Sequence, residues 1–267
     1  MNLLDTMPDV GIQKISPSPE TSARYQRQLS LDGFTPEHQN RLRNASVLVA
    51  GVGGLGGTAA LYLAASGVGR LRLVHAGPLD LPDLNRQILM TPDWIGKSRV
   101  ACAGEFLERF NPETTVEVVD ARVHEGNAAA LMEGIDAALS CRYNFEERAI
   151  LNRACVETGV PMIEAAMYGM EAYLTVVFPE ETACLACLYP EFPRWDPMGF
   201  PVLGAVSGTL GCLAAAETVK LLTGMGTSLR DRLLSFDLTD MTFKKLRTAR
   251  RPGCPVCDHE RKEPHGS

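Results

Sequence analysis

The stretch Val47-Leu48-Val49-Ala50-Gly51-Val52-Gly53-Gly54-Leu55-Gly56-Gly57 decides how the rest of the chain is read. Val47 to Ala50 is an unbroken apolar run, the pattern of a strand buried on both faces. Gly51, Gly53 and Gly56 fall in the order G-x-G-x-x-G, and Thr58 to Ala65 then reads as a helix. Strand, glycine turn and helix in succession are what give that spacing meaning. Gly51 permits a tight turn, Gly53 lets backbone approach a phosphate, and Gly56 lets helix pack on strand. The open N–H groups at the helix start favour an anion. A tight strand-to-helix turn without a ligand has the same spacing, so the choice falls to residues further along.

Working outward, apolar strands and helical segments alternate. Thr35 to Asn44 reads as a short helix, and Leu71 to Val74 as the second strand of a βαβ unit. Arg99 to Phe110 reads as a helix ended by Asn111-Pro112, followed by strand Thr115 to Val119 and the short helix Ala128 to Met132. Ala137 to Cys141 is the next strand and Ala149 to Thr158 the next helix. Met162-Ile163 opens a further strand, and Tyr173 to Phe178 has strong β character. This alternation predicts an α/β fold: a doubly wound, mostly parallel sheet with helices on both faces. Ligand is then expected beyond the carboxyl ends of the strands, near Gly51–Gly56, His75 and Cys141–Asn144. Residues 1–22, with Pro8, Pro17 and Pro19 among serines, read as a mobile leader. Residues 23–180 read as the nucleotide-binding part, 181–257 as a C-terminal part, and 258–267 as a tail.

Composition narrows the function. The 267 residues are 45% hydrophobic and 22% charged, with a formal net charge of −6, which argues against a dedicated nucleic-acid binder. The most apolar stretch, Leu203 to Leu222, carries Glu217 and Lys220 and reads as a core or interface helix, not a membrane span. No basic region followed by an apolar core opens the chain, so a cytoplasmic location is expected. Of 8 cysteines, four form the pairs Cys184-Leu185-Ala186-Cys187 and Cys254-Pro255-Val256-Cys257. Each pair can offer two thiolates to one tetrahedral ion, and together they predict a closed structural Zn2+ site tying the C-terminal part to the domain. Coincidence and a redox pair are the alternatives. Cys102, Cys141, Cys155 and Cys212 lie in apolar contexts and read as buried small hydrophobes.

Taken together, Arg24-Tyr25-Gln26-Arg27-Gln28, the glycine turn, Ala65-Ser66-Gly67-Val68-Gly69, Asp83-Leu84-Asn85-Arg86-Gln87 and the cysteine pairs resemble the ubiquitin-activating-enzyme-like superfamily. The closest look is to the bacterial molybdopterin-synthase and thiamine sulfur-carrier adenylyltransferases, over Arg24 to Cys257. The resemblance implies binding of ATP and Mg2+ and adenylation of the C-terminal glycine of a small ubiquitin-fold carrier protein. It also implies a homodimer in which Arg24 or Arg27 of one subunit reaches the other's nucleotide. By the same resemblance Gly51, Gly53, Gly54 and Gly56 form the phosphate loop, Arg86 meets the triphosphate, and Asn144 and Arg148 keep half of an Asp-Asn-x-x-x-Arg segment.

Four positions depart from the family pattern. His75 lies where the family places the acid that takes the ribose hydroxyls. Asp83 replaces an asparagine. Arg99 stands at the lysine of G-x-x-K, and a planar fork is not equivalent to a compact ammonium there. Tyr143 occupies the place of a magnesium-linked aspartate, although a phenol is a poor ligand for a hard cation. The loop from Glu191 to Phe200 contains no cysteine, so no thiol relay is expected through it, and Trp195 reads as a packing residue. The first functional reading is an adenylyltransferase in which Arg86, Arg99 and a trans Arg24 or Arg27 neutralise phosphate. The second is a degenerate, non-adenylating scaffold or partner subunit of an active paralogue. A nicotinamide-dependent dehydrogenase is a weak third, since the Asp83–Gln87 segment and the cysteine pairs have no role in it. The small residues Gly204, Ala205, Gly208, Gly211, Ala214 and Ala215 are expected to line the dimer interface.

Overall fold

The computed structural model describes residues 23–193 and 200–258. The expected leader, Arg194, Trp195 and all but the first residue of the expected tail lie outside the described residues. After α1 (Gln26–Leu29) and α2 (Pro36–Asn44) come β1 (Ser46–Ala50), α3 (Gly54–Ala65) and β2 (Arg70–Val74). The chain continues through α4 (Arg99–Phe110), β3 (Thr115–Val119), α5 (Ala128–Met132), β4 (Ala137–Ser140) and α6 (Phe145–Thr158). It ends with β5 (Met162–Tyr168), β6 (Glu171–Val177), α7 (Leu185–Leu188), α8 (Gly204–Thr223), β7 (Arg232–Asp237) and β8 (Thr242–Arg247).

The strands form one sheet in the order β3-β2-β1-β4-β5-β6-β7-β8. Pairing is parallel from β3 through β5, and antiparallel from β5 through β8. The sheet therefore runs without a break across position 180, because β6 pairs with β7. Alternation along β1 explains its unbroken apolar run: Val47 and Val49 join the core on one face, and Leu48 and Ala50 the core on the other. Helices α3, α4 and α8 cover the first face, and α5, α6 and the cysteine pairs cover the second.

Local signals set the element ends. Thr35 caps α2 and Asn144 caps α6, each accepting a backbone N–H three residues on. Asn144 explains why α6 begins at Phe145, four residues before the expected start. The strands β7 and β8 were not expected from sequence; Arg232–Asp237 is half-exposed, Thr242–Arg247 is mostly exposed, and both lack a continuous apolar run.

The small residues of α8 have a different use from the one expected. A Cβ on Gly204 would lie 2.4 Å from the Asn85 carbonyl oxygen, and one on Gly211 would lie 2.5 Å from that of Leu55. Ala214 and Ala215 are likewise buried. Gly211 brings α8 against α3, and Gly204 brings it against the turn that holds Asn85, both within one chain; only Ala205 and Gly208 of the set face away. By length and composition α8 is apolar enough to cross a membrane. Its buried face nevertheless holds Glu217, whose Oε2 accepts the Leu229 N–H at 2.9 Å. Of the four cysteines read as buried hydrophobes, Cys102 and Cys155 are buried, Cys141 is partly covered and Cys212 is exposed.

Candidate functional site

The glycine turn opens the site. Gly51 has φ +104°, a conformation side chains rarely adopt, and its missing Cβ would lie 2.6 Å from the Cys141 carbonyl oxygen. At Gly56 a Cβ would fall 1.8 Å from the Gly51 carbonyl oxygen, so this glycine permits helix-on-turn contact. Gly53 is different: its nearest neighbour would be the Gln87 side chain at 4.0 Å, which leaves one side of the backbone open. The three glycines thus divide into two that close the turn and one that exposes it.

That open side faces a cleft of about 1110 Å³ at the carboxyl ends of β1, β2 and β4 and along β5 to β7. Gly53, Gly54, His75, Arg86, Arg99 and Tyr143 all line it. Gly51 and Gly56 lie beneath the turn and are not among the lining residues, and neither are Arg24 and Arg27. Arg24 donates to the Phe110 carbonyl at 3.4 Å, and both arginines are exposed beside Tyr25, which anchors α1 by donating to Glu113. Asn144 is also outside the cleft lining. Its Oδ1 accepts the Glu147 N–H and its Nδ2 donates to Glu147 Oε1, both at 2.8 Å, so capping uses the whole amide.

Arginines dominate one wall. Arg86 donates to the Pro82 carbonyl (2.9 Å), Asn85 Oδ1 (2.8 Å) and Asp83 Oδ1 (3.0 Å). Arg99 reaches Asp83 Oδ2 at 3.5 Å and donates to the Ala76 carbonyl at 3.0 Å. Arg142 is buried and donates to Glu147 Oε1 at 2.9 Å; its Nε lies 2.8 Å from Oε2 at an angle too poor for a hydrogen bond. Burial raises the Glu147 pKa, but the bonds from Arg142, Asn144 and the Val123 N–H outweigh it and hold the carboxylate below its ordinary range.

His75 sits at the end of β2, and its Nδ1 accepts the Val52 N–H at 3.0 Å. Arg142 Nη1, a donor in every state, lies 3.3 Å from the same nitrogen. Nδ1 is therefore the acceptor, and the neutral ring carries its proton on Nε2. Burial, then the charges of Arg142, Arg99 and Arg122, holds the imidazole well below the usual histidine range. His75 thus secures the glycine turn and offers no carboxylate to a ribose. Tyr143, partly exposed, stacks on Phe200 with ring centroids 6.3 Å apart. The Arg86 guanidinium lies 5.9 Å from that ring's centroid.

At the floor of the cleft, which Arg148 and Tyr173 line, the buried Arg148 meets Glu164 and the partly buried Tyr173. Its Nε donates to Glu164 Oε1 at 2.9 Å, and its Nη2 contacts both Glu164 Oε1 and the Tyr173 hydroxyl. Burial, reinforced by Glu164, pushes the Tyr173 hydroxyl far above its usual range. No sequence spacing announces this triad, since Arg148 and Glu164 meet only when α6 packs against β5. The Asp83 double pair was equally invisible, although its arginines were singled out.

The four cysteines converge 70 residues apart in sequence, with Cys184 and Cys254 sulfurs at 3.8 Å and Cys187 and Cys257 at 3.4 Å. All four sulfurs lie within 4.8 Å of one another. A tetrahedron with metal–sulfur bonds of about 2.3 Å has sulfur–sulfur edges of about 3.8 Å, so the cluster fits one Zn2+. The Arg251 N–H lies 3.3 Å from the Cys187 sulfur, a donor suited to thiolate. Burial raises the Cys254 pKa, but the backbone N–H groups of Cys257 and Val256 outweigh it and bring the thiol to about 7.

A family model described as the ThiF family matches residues 25–256, nearly the whole chain. The chain belongs to the ThiF family. Within this family it is 55% identical over 243 residues to the vegetative protein HesA of Trichormus variabilis, covering 91% of this chain and 92% of that one. It is 35% identical over 248 residues to the sulfur carrier protein adenylyltransferase of Thermus thermophilus, covering 89% and 91%. Its fold is similar to that of Escherichia coli MccB crystallised with a modified MccA, with TM-score 0.80, 21% identity, and coverage of 91% and 76%.

Proposed function

We propose that this chain binds ATP in the cleft and transfers AMP to the C-terminal carboxylate of a small ubiquitin-fold carrier or similar peptide. The observation that carries the reading is the meeting of the open Gly53 backbone with Arg86 and Arg99 in one cleft. The cleft also extends along β5 to β7, where an extended tail has room. In the step, a carboxylate oxygen forms a bond to the α-phosphorus and the bond to the bridging oxygen breaks, releasing pyrophosphate. The protein's part is to orient the two anions and to oppose their charge with donors already in place. The Thermus thermophilus relative, named for adenylating a sulfur carrier, supports the reading.

A second reading, a non-adenylating scaffold or partner subunit, is favoured by one observation. Tyr143 presents a ring stacked on Phe200 where an acid for Mg2+ is expected. Asp83, the buried acid of the cleft, already serves two arginines, which leaves exposed Asp80 as the nearby carboxylate. Calorimetry with ATP, with and without Mg2+, separates the readings. We expect saturable one-site binding that Arg86→Ala removes, and Mg2+-dependent pyrophosphate exchange once the carrier is supplied. Binding without exchange would leave only the scaffold, and no binding would sink the adenylyltransferase.

A second copy of this chain is the partner we propose for Arg24 and Arg27, which are exposed and stand away from their own cleft. Light scattering at micromolar concentration should give twice the chain mass of 29.0 kDa, and a single-chain mass would remove the proposal. The ion proposed for Cys184, Cys187, Cys254 and Cys257 is Zn2+, serving folding and not chemistry, because four thiolates leave no open position. None of the eight cysteines is joined in a disulfide, which suits the reducing cytoplasm proposed as the location.

A further inference from the structure

Asp83 stands between the two arginines of the cleft that have most to offer a phosphate. It is 8% exposed, and its two carboxylate oxygens are divided between Arg86 Nη2 at 3.0 Å and Arg99 Nη1 at 3.5 Å. The same Oδ2 accepts the Asp80 N–H at 3.2 Å, which fixes the carboxylate on the 3-10 turn Leu81–Asn85. All three side chains line the cleft. A guanidinium treats a carboxylate and a phosphate alike, as a pair of oxygens facing its fork. An arriving phosphate therefore finds both forks already engaged, and two positive charges already reduced to a net one. In a half-covered site, a fixed like charge within contact distance of the ligand opposes it far more than in water.

We propose that Asp83 is a specificity-determining residue, an internal counter-anion that shares Arg86 and Arg99 with the bound nucleotide and grades nucleotides by their charge. It holds down the affinity for a free triphosphate while costing a monophosphate less, because each added phosphate meets the same carboxylate. The inference rests on the nucleotide reading of this cleft. Asp83 is a positioning residue as well, since it aims both guanidinium groups, and the two roles make different demands on a variant. Loss of aim weakens all nucleotides together, whereas loss of the counter-charge changes their ratio.

The test is calorimetry with AMP and with ATP, both without Mg2+, on the unmodified protein, Asp83→Asn and Asp83→Glu. The unmodified protein should prefer ATP to AMP by less than about tenfold, one step of 1.4 kcal/mol. Asp83→Asn keeps the shape and the acceptor for the Asp80 N–H, and should raise that ratio by about tenfold or more. Asp83→Glu keeps the charge and should leave the ratio low. A folded Asp83→Asn protein with an unchanged ratio would overturn the proposal. Should that variant not fold, the unmodified protein decides: preference for ATP above about tenfold overturns the proposal, and a smaller one upholds it. Failure of the unmodified protein to bind either nucleotide would take down the nucleotide reading with it. Tight, strongly ATP-selective binding would remove this inference alone.

Discussion

Gly56→Ala is expected to abolish nucleotide binding and to destabilise the chain by ~3 kcal/mol or more, the upper end of the cost of forcing extra volume into a packed interior. The added methyl carbon would sit 1.8 Å from the Gly51 carbonyl oxygen and 3.0 Å from Cys141 Cβ. Neither neighbour can give way. Gly51 is itself held against the Cys141 carbonyl oxygen, where its own Cβ would be 2.6 Å away, and its N–H donates to the Val74 carbonyl at 2.8 Å. Relief would have to come from pulling α3 off β1, which opens the apolar core shared by Val47, Val49, Ala59 and Leu63. Gly53→Ala is the control, because a methyl there meets nothing closer than 4.0 Å. That variant should melt close to the unmodified protein yet bind nucleotide more weakly, since the methyl occupies the open side of the turn. Thermal melts and calorimetry on the two variants make the comparison. A Gly56→Ala protein with unchanged melting and affinity would show that the turn tolerates a displacement we hold to be closed to it.

The second large effect belongs to the cysteine cluster. Fresh protein should contain one zinc per chain by elemental analysis, and Cys257→Ser should lose the ion and more than ~4 kcal/mol of stability, within the range where loss of a metal belongs. The reason lies in what the cluster joins. Cys184 caps α7 and Cys187 lies within it, while Cys254 and Cys257 lie beyond β8, and three of the four cysteines are buried in the second core beside Leu151 and Met162. Without an ion, these thiols have only each other and a few N–H groups as partners. A dication draws all four towards thiolate and compensates their burial. Well under one zinc per chain, or an unchanged melting temperature in Cys257→Ser, would defeat this account.

Those two features were also the most legible in the sequence, for related reasons. A glycine turn and a C-x-x-C pair are local patterns whose geometry follows from a few consecutive residues. The helix Arg99–Phe110 was legible because its periodicity is carried by burial on a sheet that the sequence had already implied, and the strand Thr115–Val119 because its run is rich in β-branched valine and threonine. What stayed hidden depends on partners distant in sequence. The half-exposed β7 takes its strand character from pairing with β6 and the exposed β8 from pairing with β7, not from an apolar run of their own. The small residues of α8 read correctly as close-approach positions, but nothing in their spacing says that the approaching helix is α3 of the same chain. At the cleft, Arg86 and Arg99 were identified from their motifs, while their shared partner Asp83 read only as a departure from a pattern. His75 read as a missing acid; its use as an acceptor for the Val52 N–H required the turn and the strand end to be seen together.

The change from parallel to antiparallel pairing at β5 has a consequence for the order in which the chain assembles. The hairpins β5–β6 and β7–β8 join strands separated by a few residues, and hairpins of this kind form within microseconds. The central pairing of β1 with β4 instead closes a large loop, with Ser46 bonded to Asp136 across 90 positions of sequence. Loop closure on that scale must be met before its contacts return anything, so the nucleotide end of the sheet is the slow end. In pulse-labelled refolding, β5–β6 amides should gain protection before those of β1, and the reverse order would contradict it. The phosphate turn would then be the last part of the sheet to acquire its shape, completed on a scaffold whose far edge is already in place.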